Sequence, residues 1–167
     1  MTDTYLDEFV EYPVKALHVI GTDNTVVSLL TNNPQIDMDS DEADSVFERY
    51  LFDYGYVDGT TGESEAYICV EAEVSSVPTP TIKDMKVYVT VFCHKQYMKI
   101  DTSKFKGMIG NRRDNLVRYV DKLLNGSEMF GIGQLKLDYA RTIPAPIGFT
   151  ARELSYTVHE FKNKGVM

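Results

Sequence analysis

Residues 85–95 read MKVYVTVFCHK and give the strongest strand signal in the chain. Apolar side chains occupy every second position from Met85 to Cys93, which places them together on one face of an extended strand. The opposite face still carries Tyr88 and Phe92, so neither face of this segment is purely polar. A strand of this kind belongs in the interior of a sheet, and we therefore predict that residues 85–95 form the central strand.

Four further segments have the composition of strands. Residues 66–74 alternate between apolar side chains and polar or aromatic ones, as in an antiparallel strand with one exposed face. Residues 46–57 are rich in aromatic side chains and lead into a turn predicted at 58–62. The last two strands are predicted at 134–143 and 149–161, on either side of a proline-rich turn.

The clearest helix is predicted at residues 112–125. Asn111 can cap its first turn, and Gly126 is the residue type expected just after its last turn. Asp114 suits the positive end of the helix dipole and is expected to pair with Arg118, one turn further on. The apolar side chains follow the stripe of a helix that lies on a sheet: Leu116, Val120, Leu123 and Leu124.

Two shorter helices are predicted before the sheet, at residues 5–20 and 24–31. Pro13 is compatible with the first turn of a helix, so the first of these regions fits one helix or two short pieces. The predicted order of elements is α-α-β-β-β-α-β-β. This order indicates an α+β domain with a mostly antiparallel sheet and helices packed on one side.

The charge of the chain is divided between its two parts. Residues 1–75 contain 17 Asp and Glu but only two Lys and Arg, a charge of −15. Residues 76–167 carry a charge of +7, and the two parts together give the net charge of −8. Opposite charges favour head-to-tail association between copies, although an acidic segment that only increases solubility is an equally good interpretation. Length and composition indicate a single domain over 1–167, helical and acidic at 1–45 and containing the sheet at 46–167.

Few residues have the spacing of a catalytic, cofactor or metal site. The phosphate loop, the dinucleotide fingerprint and the nucleophile elbow are absent, and the three histidines are too widely spaced for zinc. Cys69 and Cys93 lie in strand patterns and are expected to be buried, without a disulfide. No apolar run is long enough to cross a bilayer. We therefore expect no catalytic residue, no cofactor, no metal and no membrane partner.

An acidic segment, QIDMDSDEADS at 35–45, follows the second predicted helix. Asp37, Asp39 and Asp41 alternate like the first ligands of a calcium-binding loop. Such a loop needs glycine at its sixth position for the sharp turn around the ion, and this chain has Glu42 there. A solvated acidic loop over 37–45 is therefore the favoured interpretation.

One enzymatic alternative comes from RRDNLVRYVDKLLNG at 112–126. Asp114 and Asp121 are two helical turns apart, so their carboxylates share a face and could hold Mg²⁺. The run resembles part of the phage Holliday-junction resolvases, which cleave DNA with paired aspartates and Mg²⁺. That family has an adjacent acidic pair after the helix, whereas Glu128 and Asp138 here are far apart. An acidic N-terminal half would also repel DNA, so we expect no enzyme and keep a Mg²⁺-dependent DNA-junction nuclease as the alternative.

Four segments together resemble the small neck and tail-completion proteins of tailed phages and prophages: KVYVTVFCHKQYMKI, GNRRDNLVRYVDKLLNG, FGIGQLKLDYARTI and ARELSYTVHEF. The resemblance covers about residues 65–162. It rests on the order of the predicted strands and helix and on the general character of their sequences, and not on an invariant motif. It implies an α+β structural protein of the virion, assembled in the host cytoplasm, that forms a ring at the head–tail junction, hexameric in tail terminators. Such a ring joins the tail tube to the head connector and lets DNA pass. The resemblance does not account for residues 1–45, which leaves a head-side neck role open.

This resemblance makes two loops the expected contact surfaces of a ring. Docking residues often lie on loops, and here residues 37–45 are acidic while 103–113 are basic and contain two glycines. We predict contacts between subunits, or with partner proteins, at Lys104, Lys106, Arg112 and Arg113, opposed by Asp37, Asp39, Asp41 and Glu42. An accessory binding module without a place in the virion is the third possibility.

Overall fold

The alternating segment at 85–95 contributes to the middle strand of a five-stranded sheet. The computed structural model describes residues 6–55 and 65–162, and the strands within these ranges are β1 (Leu51–Phe52), β2 (Ala66–Ser76), β3 (Ile82–His94), β4 (Ile132–Ile143) and β5 (Phe149–Phe161). Their order across the sheet is β1-β2-β3-β5-β4, so β3 is the central strand, as predicted. Neighbouring strands are antiparallel, except that β1 runs parallel to β2.

The helices include all three that the sequence predicts. In chain order the helices of the described residues are α1 (Glu8–Gly21), α2 (Asn24–Thr31), α3 (Asp41–Asp44), α4 (Val46–Arg49) and α5 (Arg112–Leu124), with a short 3-10 turn at Lys95–Tyr97. α1 is one continuous helix that contains Pro13. α5 begins as predicted, because the Asn111 side chain accepts a hydrogen bond from the amide of Asp114 at 2.8 Å.

The helices of the described residues pack on one face of the sheet. α1 packs against β2, α5 packs against β3 and β5, and α2 packs against α1 and α5. The sheet face beneath them supplies fully buried core side chains, among them Ile68, Val70, Val87, Val89 and Leu154. The predicted class, an α+β fold with a mostly antiparallel sheet and helices on one side, is confirmed. Cys69 and Cys93 are both buried, and neither forms a disulfide within the described residues.

The aromatic-rich segment at 46–57 is not the strand that we predicted. It forms α4 and the two-residue strand β1, and the predicted turn at 58–62 lies outside the described residues. The amides of Arg49 and Tyr50 bond to carbonyls four residues earlier, which is the hydrogen-bond pattern of a helix. The aromatic side chains of this segment pack against other parts of the structure and do not alternate between the two faces of a strand. Phe52, for example, lies edge-on to Tyr67 with 6.0 Å between ring centroids.

A buried polar cluster fastens α1 to one end of the sheet. The Lys83 ammonium on β3 lies 2.7 Å from a carboxylate oxygen of Glu8, and both side chains are fully buried. The Tyr12 hydroxyl donates a hydrogen bond to Glu160 on β5 at 2.6 Å. Burial and this hydrogen bond raise the pKa of Tyr12 far above its ordinary range, so the hydroxyl stays a donor. Directed polar bonds as well as apolar packing therefore set where α1 lies.

Candidate interaction surfaces

The basic loop, which we define as residues 103–110, lies on the helix side of the sheet. Phe105 is buried in the main core and holds the loop there, while Lys104 and Lys106 on either side of it are exposed. Both lysines line a groove of about 630 Å³ together with residues 32–35, which follow α2. The two predicted contact lysines are thus presented to solvent from a firmly packed loop.

The acidic segment lies beside this groove. Asn33, which lines the groove, donates a hydrogen bond to the Glu42 carboxylate at 3.3 Å. Asp37, Asp39 and Asp41 are exposed, as predicted, but residues 41–44 form the helix α3 and not a loop. The helix forms there because the Ser40 hydroxyl oxygen caps it, accepting from the amide of the third helical residue at 3.2 Å. The predicted acidic and basic contact residues therefore lie near each other on the same side of one subunit.

Arg112 is not part of an exposed basic loop, and this part of the prediction is wrong. Its guanidinium is 2% exposed and donates to the carbonyl oxygens of Leu29, at 2.6 Å, and Tyr97, at 2.9 Å, and to the Asn32 side chain at 3.0 Å. It also stacks on the Tyr97 ring at 3.9 Å. The physical reason is that the last turn of α2 has carbonyls without helical partners, and a buried arginine satisfies them.

Arg113 is also buried, so the prediction that it lies in the exposed loop is wrong as well. It is the second residue of α5, and its guanidinium lies 3.0 Å from Asp114. Asp114 accepts a second bond from Arg152 of β5 at 2.9 Å, while Arg118 donates to Asn115 instead of to Asp114. The expected pair between Asp114 and Arg118 is therefore replaced by bonds that join α5 to the sheet.

Both carboxylates of the enzymatic alternative are engaged by protein donors. Burial opposes ionisation of Asp114, but hydrogen bonds from Arg113, Asn111 and Arg152 outweigh it and lower the pKa of this carboxyl below its ordinary value. Asp121 accepts a hydrogen bond from the Tyr156 hydroxyl at 2.9 Å. Within the described ranges there is no group of three or more His, Cys, Asp or Glu side chains placed to hold one metal ion.

The sheet face that none of the described helices covers carries a second groove, of about 380 Å³. We call it the acidic sheet groove. Its lining includes charged and aromatic side chains from β2, β3, β4 and β5: Glu71, Tyr88, Phe92, Tyr139, Arg141 and Glu153. Beside it, the rings of Tyr67 and Phe92 stack with their centroids 4.8 Å apart.

Hydrogen bonds fix the side chains of the acidic sheet groove. Tyr88 donates to Glu73, which lies beside the groove, at 2.6 Å, and Tyr139 donates to Glu153 within the groove at 2.9 Å. Burial and these bonds to carboxylates raise the pKa values of both tyrosine hydroxyls, so they stay protonated donors. The Glu71 carboxylate accepts a hydrogen bond from the backbone amide of Gly55. The groove therefore presents ordered carboxylates and aromatic rings to solvent.

The sequence contains part of the signal for this groove. The alternation of β2 places Glu71 and Glu73 on the face opposite the core, and the alternation of β3 does the same for Tyr88. The alternation does not reveal that β4 pairs with β5 at the edge of the sheet, which places Arg141 of β4 opposite Glu153 of β5. A register shift within β4 also precedes Tyr139. The groove was missed because it depends on this long-range pairing.

A third surface is apolar and lies along the start of α1. Val10 and Val14 are spaced one helical turn apart on α1, Leu6 lies just before the helix, and all three remain exposed, Val10 to 69%. Val14 lines a groove of about 350 Å³ together with Phe47 of α4. This stripe is opposite in character to the two charged surfaces and could bind only an apolar partner.

Fold and surfaces together define a small α+β protein in which the described helices leave a charged sheet face uncovered. The chain belongs to the YomW family, whose model matches residues 23–158. This family is derived from phages, so the resemblance to phage proteins is confirmed at that level. The matched residues include both charged surfaces and most of the sheet. No curated protein matches the chain, and within the described residues no helix is long and apolar enough to span a membrane.

Proposed function

We propose that this chain is a structural protein of the phage virion that assembles with copies of itself into a ring at the head–tail junction. It would act there as a tail terminator or a neck subunit, joining the tail tube to the head connector. DNA would pass through the channel of the ring without specific binding. This role needs contact surfaces and no catalytic residue, cofactor or metal.

The observation that carries the proposal is a charged sheet face, uncovered by any helix of the described residues, in a member of a phage-derived family. The groove on this face is open to contact by a neighbouring subunit. Tyrosine and arginine are enriched in protein interfaces, and this face presents Tyr88, Tyr139 and Arg141 in one groove. The charge division of the chain supports association of unlike surfaces, which is the kind of contact that builds rings.

The test is the composition of purified phage particles, measured together with the mass of the isolated protein. Quantitative mass spectrometry should find the chain in complete, DNA-filled particles at a fixed copy number greater than one. Light scattering across protein concentration should find a discrete ring, alone or after addition of tail tubes. A protein absent from complete particles and monomeric throughout would contradict the proposal and favour the accessory binding module.

The nuclease alternative has one structural observation in its favour. Asp114 and Asp121 both lie on the face of α5 that contacts β5, where they bond to Arg152 and Tyr156. We place it second because those bonds use carboxylate oxygens that Mg²⁺ would need. Nicking of a branched DNA that requires Mg²⁺ and disappears in Asp114→Asn would reverse this order.

A further inference from the structure

We propose that the basic loop of one copy, through Lys104 and Lys106, docks in the acidic sheet groove of the next copy. The inference rests on the proposed function, because it names the contact by which copies would associate. The occupant is a second copy of this chain, and the argument for it is complementary charge on two surfaces that one molecule cannot bring together by itself.

The charges of the groove and the loop match. Glu71 and Glu73 accept hydrogen bonds from neutral donors, a backbone amide and a tyrosine hydroxyl, so these bonds leave their negative charge in place. Glu153 shares its charge with Arg141 at 3.3 Å. The nearby Lys86 is paired with Asp138 at 2.9 Å. Glu71 and Glu153 line the groove, and Glu73 lies beside it, bonded to Tyr88. Set against Arg141, these three carboxylates leave an excess of two negative charges, and the basic loop offers two exposed lysines.

The aromatic rings of the groove are also suited to lysine. The Arg141 guanidinium already lies over the Tyr139 ring, 4.4 Å from its centroid, which shows that this ring can accept a cation on its face. Tyr88 stands on the neighbouring part of the groove with its hydroxyl directed to a carboxylate. An incoming ammonium would therefore meet both carboxylate oxygens and ring faces, while the methylene groups of lysine pack on the rings.

The position of the two surfaces decides the kind of assembly. Phe105 fixes the basic loop in the helix layer, whereas the acidic sheet groove lies on the opposite side of the sheet. Contact between two different surfaces is heterologous, so each copy can bind one neighbour on each side until a ring closes. The acidic segment at 37–42 lies beside the loop on the same side of the subunit. Two copies that pair loop to acidic segment can therefore make both contacts at once and close as a two-fold dimer. The groove is for that reason the better partner for a ring.

The test uses charge reversal in two variants of the full chain. Lys104→Glu with Lys106→Glu should lose self-association, and so should Glu71→Lys with Glu73→Lys, each by roughly tenfold or more at low salt. An equimolar mixture should associate again. The acidic loop of the first variant fits the basic groove of the second, and the basic loop of the second variant fits the acidic groove of the first. The measurement is mass by light scattering, and circular dichroism shows that each variant is folded.

The matched control is Asp37→Lys with Asp39→Lys, which makes the same change of charge on the acidic segment beside the loop. It should leave self-association as in the wild-type chain. If the wild-type chain forms a ring and both charge-reversal variants form it equally well, this inference is wrong and the proposed function is unaffected. A mixture that stays dissociated although each variant is folded also overturns it. A wild-type chain that never associates, alone or with tail tubes, overturns both proposals.

Discussion

Arg112 joins three separate segments of the chain to the helix that it begins. Its guanidinium bonds to the end of α2, to the residue that follows α2, and to the 3-10 turn after β3, although Arg112 itself begins α5. A planar guanidinium with donors in fixed directions can serve three acceptors at once, and a lysine ammonium cannot reproduce this geometry. An arginine that a sequence pattern assigns to a basic surface is here a structural connector.

Removal of the Arg112 guanidinium should therefore destabilise the fold strongly. In Arg112→Met the acceptors at Leu29 and Tyr97 lose their buried donor, and we expect the free energy of unfolding to fall by about 3 kcal/mol or more. Urea denaturation followed by circular dichroism measures this change. The control is Arg118→Met on the exposed side of the same helix, expected to change stability by no more than about 0.5 kcal/mol. Equal effects of the two substitutions would show that Arg112 has no special role.

At the level of the elements, local patterns predicted the structure where one segment carries a complete signal. β3 alternates between buried and partly buried side chains from Ile82 to Val91, and α5 has a cap at Asn111, an apolar stripe and a glycine after its end. The segment at 46–57 failed because aromatic composition without alternation does not distinguish a strand from a short helix that buries Val46 and Tyr50. The acidic sheet groove could not be predicted because strand order and register are tertiary properties.

The attachment of α1 to the sheet gives a prediction about an element. The fully buried pair of Glu8 and Lys83 connects the first turn of α1 to β3. In Lys83→Met the Glu8 carboxylate keeps its buried position without its cation, and we expect a loss of about 3–5 kcal/mol in the free energy of unfolding. The double variant Glu8→Leu with Lys83→Met removes both charges and should recover most of that loss.

Chemical denaturation of the wild-type chain, both single variants and the double variant completes this thermodynamic cycle. Additive losses, with the double variant less stable than either single one, would contradict the prediction. They would mean that each side chain stabilises α1 independently of the other. Recovery in the double variant would instead show that the ion pair is not required for the stability of the protein, and its role would then be to specify where α1 lies.

For the whole molecule, two possible contacts between copies predict different responses of self-association to salt. A contact of Lys104 and Lys106 with the carboxylates of the acidic sheet groove is electrostatic, and the screening length falls from about 10 Å at 0.1 M salt to about 3 Å at 1 M. A contact through Leu6 and through Val10 and Val14 of α1 is apolar, and a salt such as sulfate strengthens apolar burial.

We therefore expect sedimentation velocity to show that the associated species dissociates as sodium chloride rises from 0.1 to about 1 M. Substitution of Val10 by Ser should leave association at low salt unchanged, because this residue lies on α1 and not on either charged surface. Association that persists at 1 M salt and disappears in Val10→Ser would identify the α1 stripe as the contact. In that case the acidic sheet groove would be left for a different partner, such as the tail tube. The ring would be held together by apolar burial instead of charge.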